Sequence, residues 1–456
     1  MNRNPFRAGA FAALLLAPAV AQSEAASDIT EARIREVLGF LASDELGGRD
    51  SPSPGQERAA HFLADGFAKA GLRPKGSAKP GETEPSFFHD YALPGLELVT
   101  KGARVALGRG DSRRELAAGE DWRLWDNGRV FTATDEPLVL AAPDADPRAA
   151  RRAMAGRNLR VFAVAADSPV WLAAAGTRRV LSRRAQGGAP VILLREGVAS
   201  GEGETLDVTL PAPEAIDVPL KNVVAVLPGS DLAGEFVVVC AHYDHIGIAP
   251  RAGAADGINN GADDDATGTT AVLVLAEHFA RDQEHGAAKP LRRSLLFACW
   301  SAEEKGLRGS RAFADDPTVP LASVAAVVNL EMLGRPEREA PPFAWITGAE
   351  YSDFAAIAEP ALASRGVVLE PFEMATQLFG ASDNLPFAQK GVVAHSISAG
   401  TLHRDYHQPG DEPSRIAYAH MTSVVRGIAA VIEAFANRDA KPEWNDEGRR
   451  VIERRR

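Results

Sequence analysis

Cysteine is nearly absent: Cys240 and Cys299 are the two in 456 residues. So few thiols exclude a disulfide scaffold, a CxxC redox centre and a thiolate zinc finger. Any metal must then be held by nitrogen and oxygen. Positive charge is also short, with 50 Lys+Arg against 61 Asp+Glu and a net charge of −11. Such a chain matches neither nucleic acid nor an anionic membrane surface, so neither is an expected partner. After the N-terminal apolar stretch nothing approaches the ~18 uninterrupted apolar residues of a membrane helix, and no membrane span is expected. Walker A, G-x-G-x-x-G, H-E-x-x-H and G-x-S-x-G are missing too, which removes the nucleotide-binding and α/β-hydrolase readings.

What is present is globular, 45% hydrophobic and 24% charged, and too long for one ordinary domain of ~100–200 residues. Residues 1–21 read as a cleavable signal peptide. Arg3 and Arg7 precede the apolar stretch Ala8–Val20, and Ala19-Val20-Ala21 has the small-x-small form of a cleavage site. A secreted or periplasmic protein, cut after Ala21, is expected. Residues 28–93 form an N-terminal helical part, with Ile34, Val37, Leu38 and Leu41, then Ala60, Leu63 and Phe67, at helical spacing. Residues 94–219 read as a β-rich insert of short strands and arginine-rich stretches, the arginines as a solvated face. Residues 220–436 are the core and 437–456 a polar tail expected to fray.

In the core, Val223–Leu227, Phe236–Ala241, Leu295–Trp300, Ala325–Leu330 and Val392–Ile397 are continuous apolar runs, the pattern of strands buried on both faces. Helical segments at Thr267–Arg281, Tyr351–Ser364 and Ile416–Ala436 separate several of them. The fold class that follows is α/β, a mixed and mainly parallel central sheet flanked by helices, with the β-rich insert. Sites in such sheets form at the carboxyl ends of strands. Here those ends carry His242-Tyr243-Asp244-His245, Ser301-Ala302-Glu303-Glu304 and Glu331; the acidic turn Gly261–Gly268 and the segment Tyr406–Asp411 join them. Charge emerging from buried strands is costly unless paired or metal-bound, and imidazole with carboxylate suits a catalytic zinc or a harder divalent ion.

These residues carry a resemblance. His242-Tyr243-Asp244, Gly261–Gly268, Glu303-Glu304, Asn329-Leu330-Glu331-Met332 and Tyr406–Asp411 stand in the order of the H-x-D, G-A-x-D-D-x-S/T-G, Glu-Glu, N-L-D/E-M and Y-H-x-P-x-D motifs. The set resembles the M28 family of cocatalytic zinc aminopeptidases, and Leu41–Arg49 and a protease-associated (PA-like) insert extend it. The resemblance implies a zinc-exopeptidase fold, peptide substrates and two zinc ions per chain. It implies that His242, Asp264 and Glu331 bind one zinc, and that Asp264, Glu304 and His407 bind the other, with Asp264 bridging. It further implies that Asp244 orients His242, that Glu303 is the general base, and that Tyr406 stabilises the oxyanion. Glu331 stands where many members have Asp, and Asn384 where histidine is common, so Asn384 is left out of the site.

The expected activity is removal of N-terminal residues from peptides by a secreted metallopeptidase. Carboxypeptidase or glutaminyl cyclase chemistry on the same scaffold stays open, with Arg335 a candidate for holding a substrate carboxylate, and a metal-free binding ectodomain is the rival from another class. His245 and His403 adjoin ligand motifs and are candidates for a substrate or outer-sphere role. His395 reads as a core histidine, His61, His89, His278, His285 and His420 as surface or capping residues, and the cysteines as buried free thiols. The sequence is silent on oligomeric state.

Overall fold

The computed structural model describes residues 29–78, 81–127, 129–140, 156–180, 189–199, 203–249, 257–286, 290–338 and 340–455. The signal-peptide segment lies outside the described residues, as do parts of the arginine-rich stretches.

A ten-stranded mixed sheet organises the chain. Its main strands are β1 (Phe88–Glu97), β2 (Glu214–Leu227), β3 (Leu232–His242), β4 (Arg293–Trp300), β5 (Val324–Leu330), β6 (Phe343–Ile346) and β7 (Ala394–Ser398). Their spatial order is β6-β7-β5-β3-β4-β2-β1, with Val368–Leu369 and Arg178–Val180 on the two edges. The pairs β3–β4, β3–β5 and β5–β7 are parallel, while β1–β2, β2–β4 and β6–β7 are antiparallel. All residues of β4 and β5 are buried, which explains why those strands read as unbroken apolar runs.

Helix α1 (Glu31–Leu41) starts at Thr30, whose hydroxyl caps Arg33 N, and α2 (Pro54–Lys69) starts at Ser53, which caps Gln56 N. Both bury the apolar faces expected from their spacing. Helices α3 (Gly268–Glu284) and α5 (Tyr418–Asn437) lie on β3, β4 and β5, with α1 against both. Shorter helices at Arg308–Asp315 and Asn384–Gln389 pack together and form a second layer. Among the described residues α5 is the one helix long and apolar enough to cross a membrane, and 72% of its apolar window is buried in the fold. Helix α4 (Phe354–Ala363) covers α5.

Cys240 pairs in register with Ala298, and Ala241 with Cys299. One residue of offset turns the two thiols to opposite faces of the sheet, and both are free and buried.

Between β1 and β2 the chain builds two small sheets. One orders the strands Ser112–Glu115, Arg104–Arg109, Thr205–Leu210 and Phe131–Pro137; the other orders Trp122–Asp126, Val191–Arg195 and Arg160–Val164. They share an apolar cluster that includes Val105, Trp122, Ile192 and Leu206. Strands β1 and β2 run unbroken through residues 94 and 219, the sequence-based limits of the insert, and pair there as Pro94 with Asp217 and Pro219 with Ala92.

The tail expected to fray is ordered. Asn445 caps a helix at Asp446–Arg454, Trp444 and Ile452 are buried, and Trp444 Nε1 donates to Gly391 O. Two of the histidines read as surface or capping residues are buried as well. His89 bonds to Asp316 O and Asn222 Nδ2, and His420 is 2% exposed.

Candidate metal centre

Every strand end marked in the sequence reaches one place. His242 closes β3, Glu303 and Glu304 follow β4, and Glu331 follows β5. The Gly261–Gly268 turn opens α3, and Tyr406-His407 arrives on the loop before α5. Asp264 stands between two groups. Its Oδ1 lies 3.3 Å from His242 Nε2, and its Oδ2 lies 3.1 Å from His407 Nε2. Beside the first contact, His242 Nε2 is 3.3 Å from Glu331 Oε1; beside the second, His407 Nε2 is 3.3 Å from Glu304 Oε2. The five residues read as metal ligands therefore come together around Asp264.

Two further residues join them. His245, Asp264, Glu304 and His407 offer ligand atoms within 4.8 Å of one another, and so do His242, Asp265 and Glu331. The sequence left His245 as an open candidate and, of the three successive aspartates, assigned only Asp264 as a ligand. The run of three aspartates was the available signal for Asp265, but a sequence does not tell which carboxylates a turn points inward.

Asp244 adjoins His242 in a way the sequence did not anticipate. The backbone carbonyl of Asp244, not its carboxylate, lies 3.0 Å from His242 Nδ1, with the carboxylate 3.9 Å away. A carbonyl only accepts, so Nδ1 carries the hydrogen and Nε2 is left free to face the carboxylates. The Asp244 carboxylate instead accepts from Glu303 N at 3.0 Å, fixing the start of the Glu-Glu pair.

Other polar groups hold the loops. Asp411 accepts from Asp263 N and Asp264 N, tying the acidic turn to the segment after His407. Asp265 Oδ1 accepts from Gly268 N and Met332 N. Arg49, 1% exposed, donates to the carbonyls of Leu41, Tyr243, Asn260 and Gly261. One guanidinium thereby joins the N-terminal segment, the H-Y-D loop and the acidic turn. Ala302, Met332 and His407 have φ of 53°, 51° and 56°. For a residue with Cβ that left-handed backbone costs about 1–2 kcal/mol, and here it is spent beside Glu303 and Glu331 and at His407 itself.

Charge at the centre is strongly perturbed. Burial alone would raise Asp264, yet His245, His242 and His407 outweigh it and hold the carboxyl well below its usual range. Burial lowers His407, but Asp264 and Glu304 carry it up to about 10. Burial, then nearby carboxylates, pushes Glu303 well up. Asp264 Oδ2, Asp265 Oδ2 and Glu304 Oε1 are out of solvent and make no hydrogen bond among the described residues. Carboxylate oxygens in that condition, facing imidazole nitrogens, fit a divalent cation of zinc's ligand preference.

A pocket opens over the centre. Glu303, Glu331, Tyr406 and Ser382 are among its polar lining residues, and Trp345, Met332, Leu378 and Leu402 among its apolar ones. Tyr406 is 37% exposed and stacks on His407 with ring centroids 4.0 Å apart. The remaining candidates fall outside the lining. His403 lies 3.5 Å from Asp263 Oδ2. His395 is buried, bonds Thr347 O and Ser352 Oγ, and is driven down to about 4 by burial. Arg335 is held by Asp405 at 2.9 Å. Asn384 bonds Phe379 O and Ser396 Oγ, away from the ligands.

Residues 222–432 match the family described as Peptidase family M28. A probable zinc metalloprotease of Pyrenophora teres f. teres is 32% identical over 122 residues, 27% of this chain and 24% of that protein. A probable zinc metalloprotease of Pyricularia oryzae is 28% identical over 295 residues, 62% of this chain and 52% of that protein. The chain thus spans between a quarter and about half of the length of these relatives. Among solved structures, a zinc aminopeptidase from Bacillus subtilis has the same fold, with a TM-score of 0.55 at 17% identity over 90% of this chain and 96% of that one.

Proposed function

The chain belongs to peptidase family M28 through residues 222–432, and on that premise we propose that it is a zinc aminopeptidase that holds two ions. The observation that carries this reading is the convergence of two imidazole–carboxylate groups on Asp264, beside a pocket whose lining includes both carboxylates and apolar groups. His242 and Glu331 with Asp264 would hold one zinc, and Glu304 and His407 with Asp264 the other. Two bound zinc ions supply Lewis-acid polarisation and stabilise negative charge building on the scissile carbonyl oxygen.

The protein's own groups then have separate tasks. Glu303 takes a proton from the attacking water and returns it to the leaving amine, and its high affinity for a proton suits that exchange. Tyr406 donates to the developing oxyanion. The carboxylates receive the substrate α-ammonium. Trp345, Met332, Leu378 and Leu402 seat an apolar first side chain. Trp345 is fixed for that task by its Nε1 bond to Gly400 O at 2.9 Å and by stacking on Phe372.

Against carboxypeptidase action, the described lining residues include no Arg or Lys to receive a substrate carboxylate, and Arg335 is already paired. The signal-like sequence of residues 1–21 supports export to the periplasm or medium.

The test is to count zinc in the purified protein and assay aminoacyl-p-nitroanilides beside N-blocked and C-terminal controls. Two zinc ions with cleavage of free-amine substrates alone, best with apolar first residues, is the expected result. Metal with cleavage only of C-terminal substrates would overturn the direction, and no metal would overturn the whole reading.

A further inference from the structure

We propose that His245 is itself a metal ligand, making the two ion sites unequal. One site would be built by two imidazoles and two carboxylates (His245, His407, Asp264 and Glu304), whereas the other has His242 as its single imidazole. The inference rests on the two-zinc reading above and adds a residue that the motif resemblance leaves without a role.

His245 is wholly buried. Its Nδ1 lies 2.7 Å from Glu304 Oε1 and 3.7 Å from Asp264 Oδ2. A 2.7 Å separation is short enough for a hydrogen bond, yet among the described residues neither ring nitrogen of His245 makes one, nor does either oxygen. Two other buried histidines behave differently. His395 bonds Thr347 O and Ser352 Oγ, each at 2.7 Å, and His89 bonds Asp316 O and Asn222 Nδ2, each at 3.1 Å. Leaving a buried polar group unsatisfied costs about 1–3 kcal/mol. The Nδ1 nitrogen and two carboxylate oxygens that face one another in that condition form a donor set without its acceptor, and a cation on the Nδ1 side satisfies those three atoms at once.

The ring is also fixed in place. It meets the His407 ring edge-on, with centroids 5.4 Å apart. Gly261 packs so closely that a Cβ there would come within 2.5 Å of the His245 ring, and its φ of 57° suits glycine. A rigid pair of nitrogens with two carboxylates is a four-coordinate zinc set. The His242 side, with Glu331, Asp265 and the other Asp264 oxygen, is richer in oxygen. Zinc should therefore fill the His245 site first, and a harder ion should compete better for the His242 site.

The test reads the metal rather than turnover. The full chain is stripped with chelator and reloaded with one zinc per chain, and X-ray absorption at the zinc edge counts the imidazoles around the ion. Two imidazoles are expected in the wild type and one in His245→Ala. Zinc affinity of the tighter site, from competition with a chelating dye, should fall beyond the roughly 10–100-fold caused by losing an outer hydrogen-bond partner. His245→Gln provides a second variant, and circular dichroism of the metal-free forms checks that each folds. One imidazole in the one-zinc wild type, which requires no variant at all, overturns the proposal; so does an unchanged count in a folded variant. A wild type that never binds two zinc ions overturns the underlying reading instead, and the two failures are thereby distinguished.

Discussion

The α/β core and the small sheets between β1 and β2 use charge in opposite ways. In the core, His242, Asp244, His245, Asp264 and Asp265 are almost wholly buried, and the proton affinities of His242, Asp244, Asp264 and Asp265 are set by burial and by neighbouring charges. In the small sheets, the charges lie largely on the surface. Arg104 and Glu115, 3.8 Å apart, are 78% and 68% exposed. Desolvated charges cannot be removed singly without stranding their partners, whereas water screens the exposed ones. The comparison teaches that loss of one side chain should matter by its burial and partners, not by its charge.

The largest effect belongs to the centre. Glu303→Gln keeps the ligand set and should lower kcat by about 10²–10⁴, with zinc content unchanged by elemental analysis. Loss of metal instead would exchange the roles of Glu303 and Glu304. Asp264→Ala removes the carboxylate that faces both imidazole groups and should empty both sites; a full zinc complement in that variant would end its bridging role.

Next comes Arg49. Four backbone carbonyls accept from its buried guanidinium, with Asp244, Asp264, Asp411 and Asp265 nearby. Burial still lowers it, to about 10, so it remains charged at neutral pH. Arg49→Met strands those carbonyls and removes the compensating charge, at a cost of about 3–5 kcal/mol in urea melts. Arg49→Lys, with fewer donors, should fall between. A loss below ~1 kcal/mol would make the clamp dispensable and weaken the contrast with the small sheets.

Much of this centre was legible because its residues sit at the ends of strands whose buried, apolar pattern is local. The strands near Val237–Ala241, Leu295–Trp300 and Val324–Leu330 announce themselves, and the charges after them stand out. What was not legible depends on distant partners. Strand β1 contains Pro94 and Gly95, residues that weaken a strand pattern, and only its pairing with β2 makes it a strand. Strand β6 has four residues, too few for a periodic signal, yet contributes Trp345 to the cavity. The final helix has few apolar residues, and Trp444 and Ile452 anchor it only once β7 and its neighbours exist. His245 was underweighted because its loop neighbours say nothing of Glu304, which arrives from a different strand.

Asp383 gives a smaller, pH-dependent effect. It is wholly buried, accepts from Ser310 Oγ, and its other oxygen has no hydrogen bond among the described residues. Burial first, then Glu331 and Asp244 against His242, pushes it up to about 7 from an ordinary 3.8. The folded state therefore holds the proton more tightly than the unfolded one. Its contribution to stability is fully present below about pH 4 and is lost as pH rises through about 7. In chelator-treated protein, Asp383→Asn should stabilise by on the order of 1–3 kcal/mol at pH 8 and by little at pH 4. Urea melts at both values measure this, and an equal gain at the two would assign the effect to packing.

The smallest effect should come from the small sheets, where it tests the comparison from the other side. Arg104 begins its strand, pairs by register with Thr209, and among the described residues forms an ion pair only with the exposed Glu115. Arg104→Ala removes an ion pair that water and salt already screen, so stability should change by no more than about 0.5 kcal/mol. Val105 and its register partner Val208, buried one position along in the same sheet, keep the apolar cluster intact. Peptide hydrolysis should stay within about twofold of wild type, since one exposed pair contributes under ~1 kcal/mol. Thermal melts and kcat/KM together decide the matter. A tenfold fall in kcat/KM with unchanged stability would mean that this surface handles substrate, and that an exposed charge here carries function as the buried ones do.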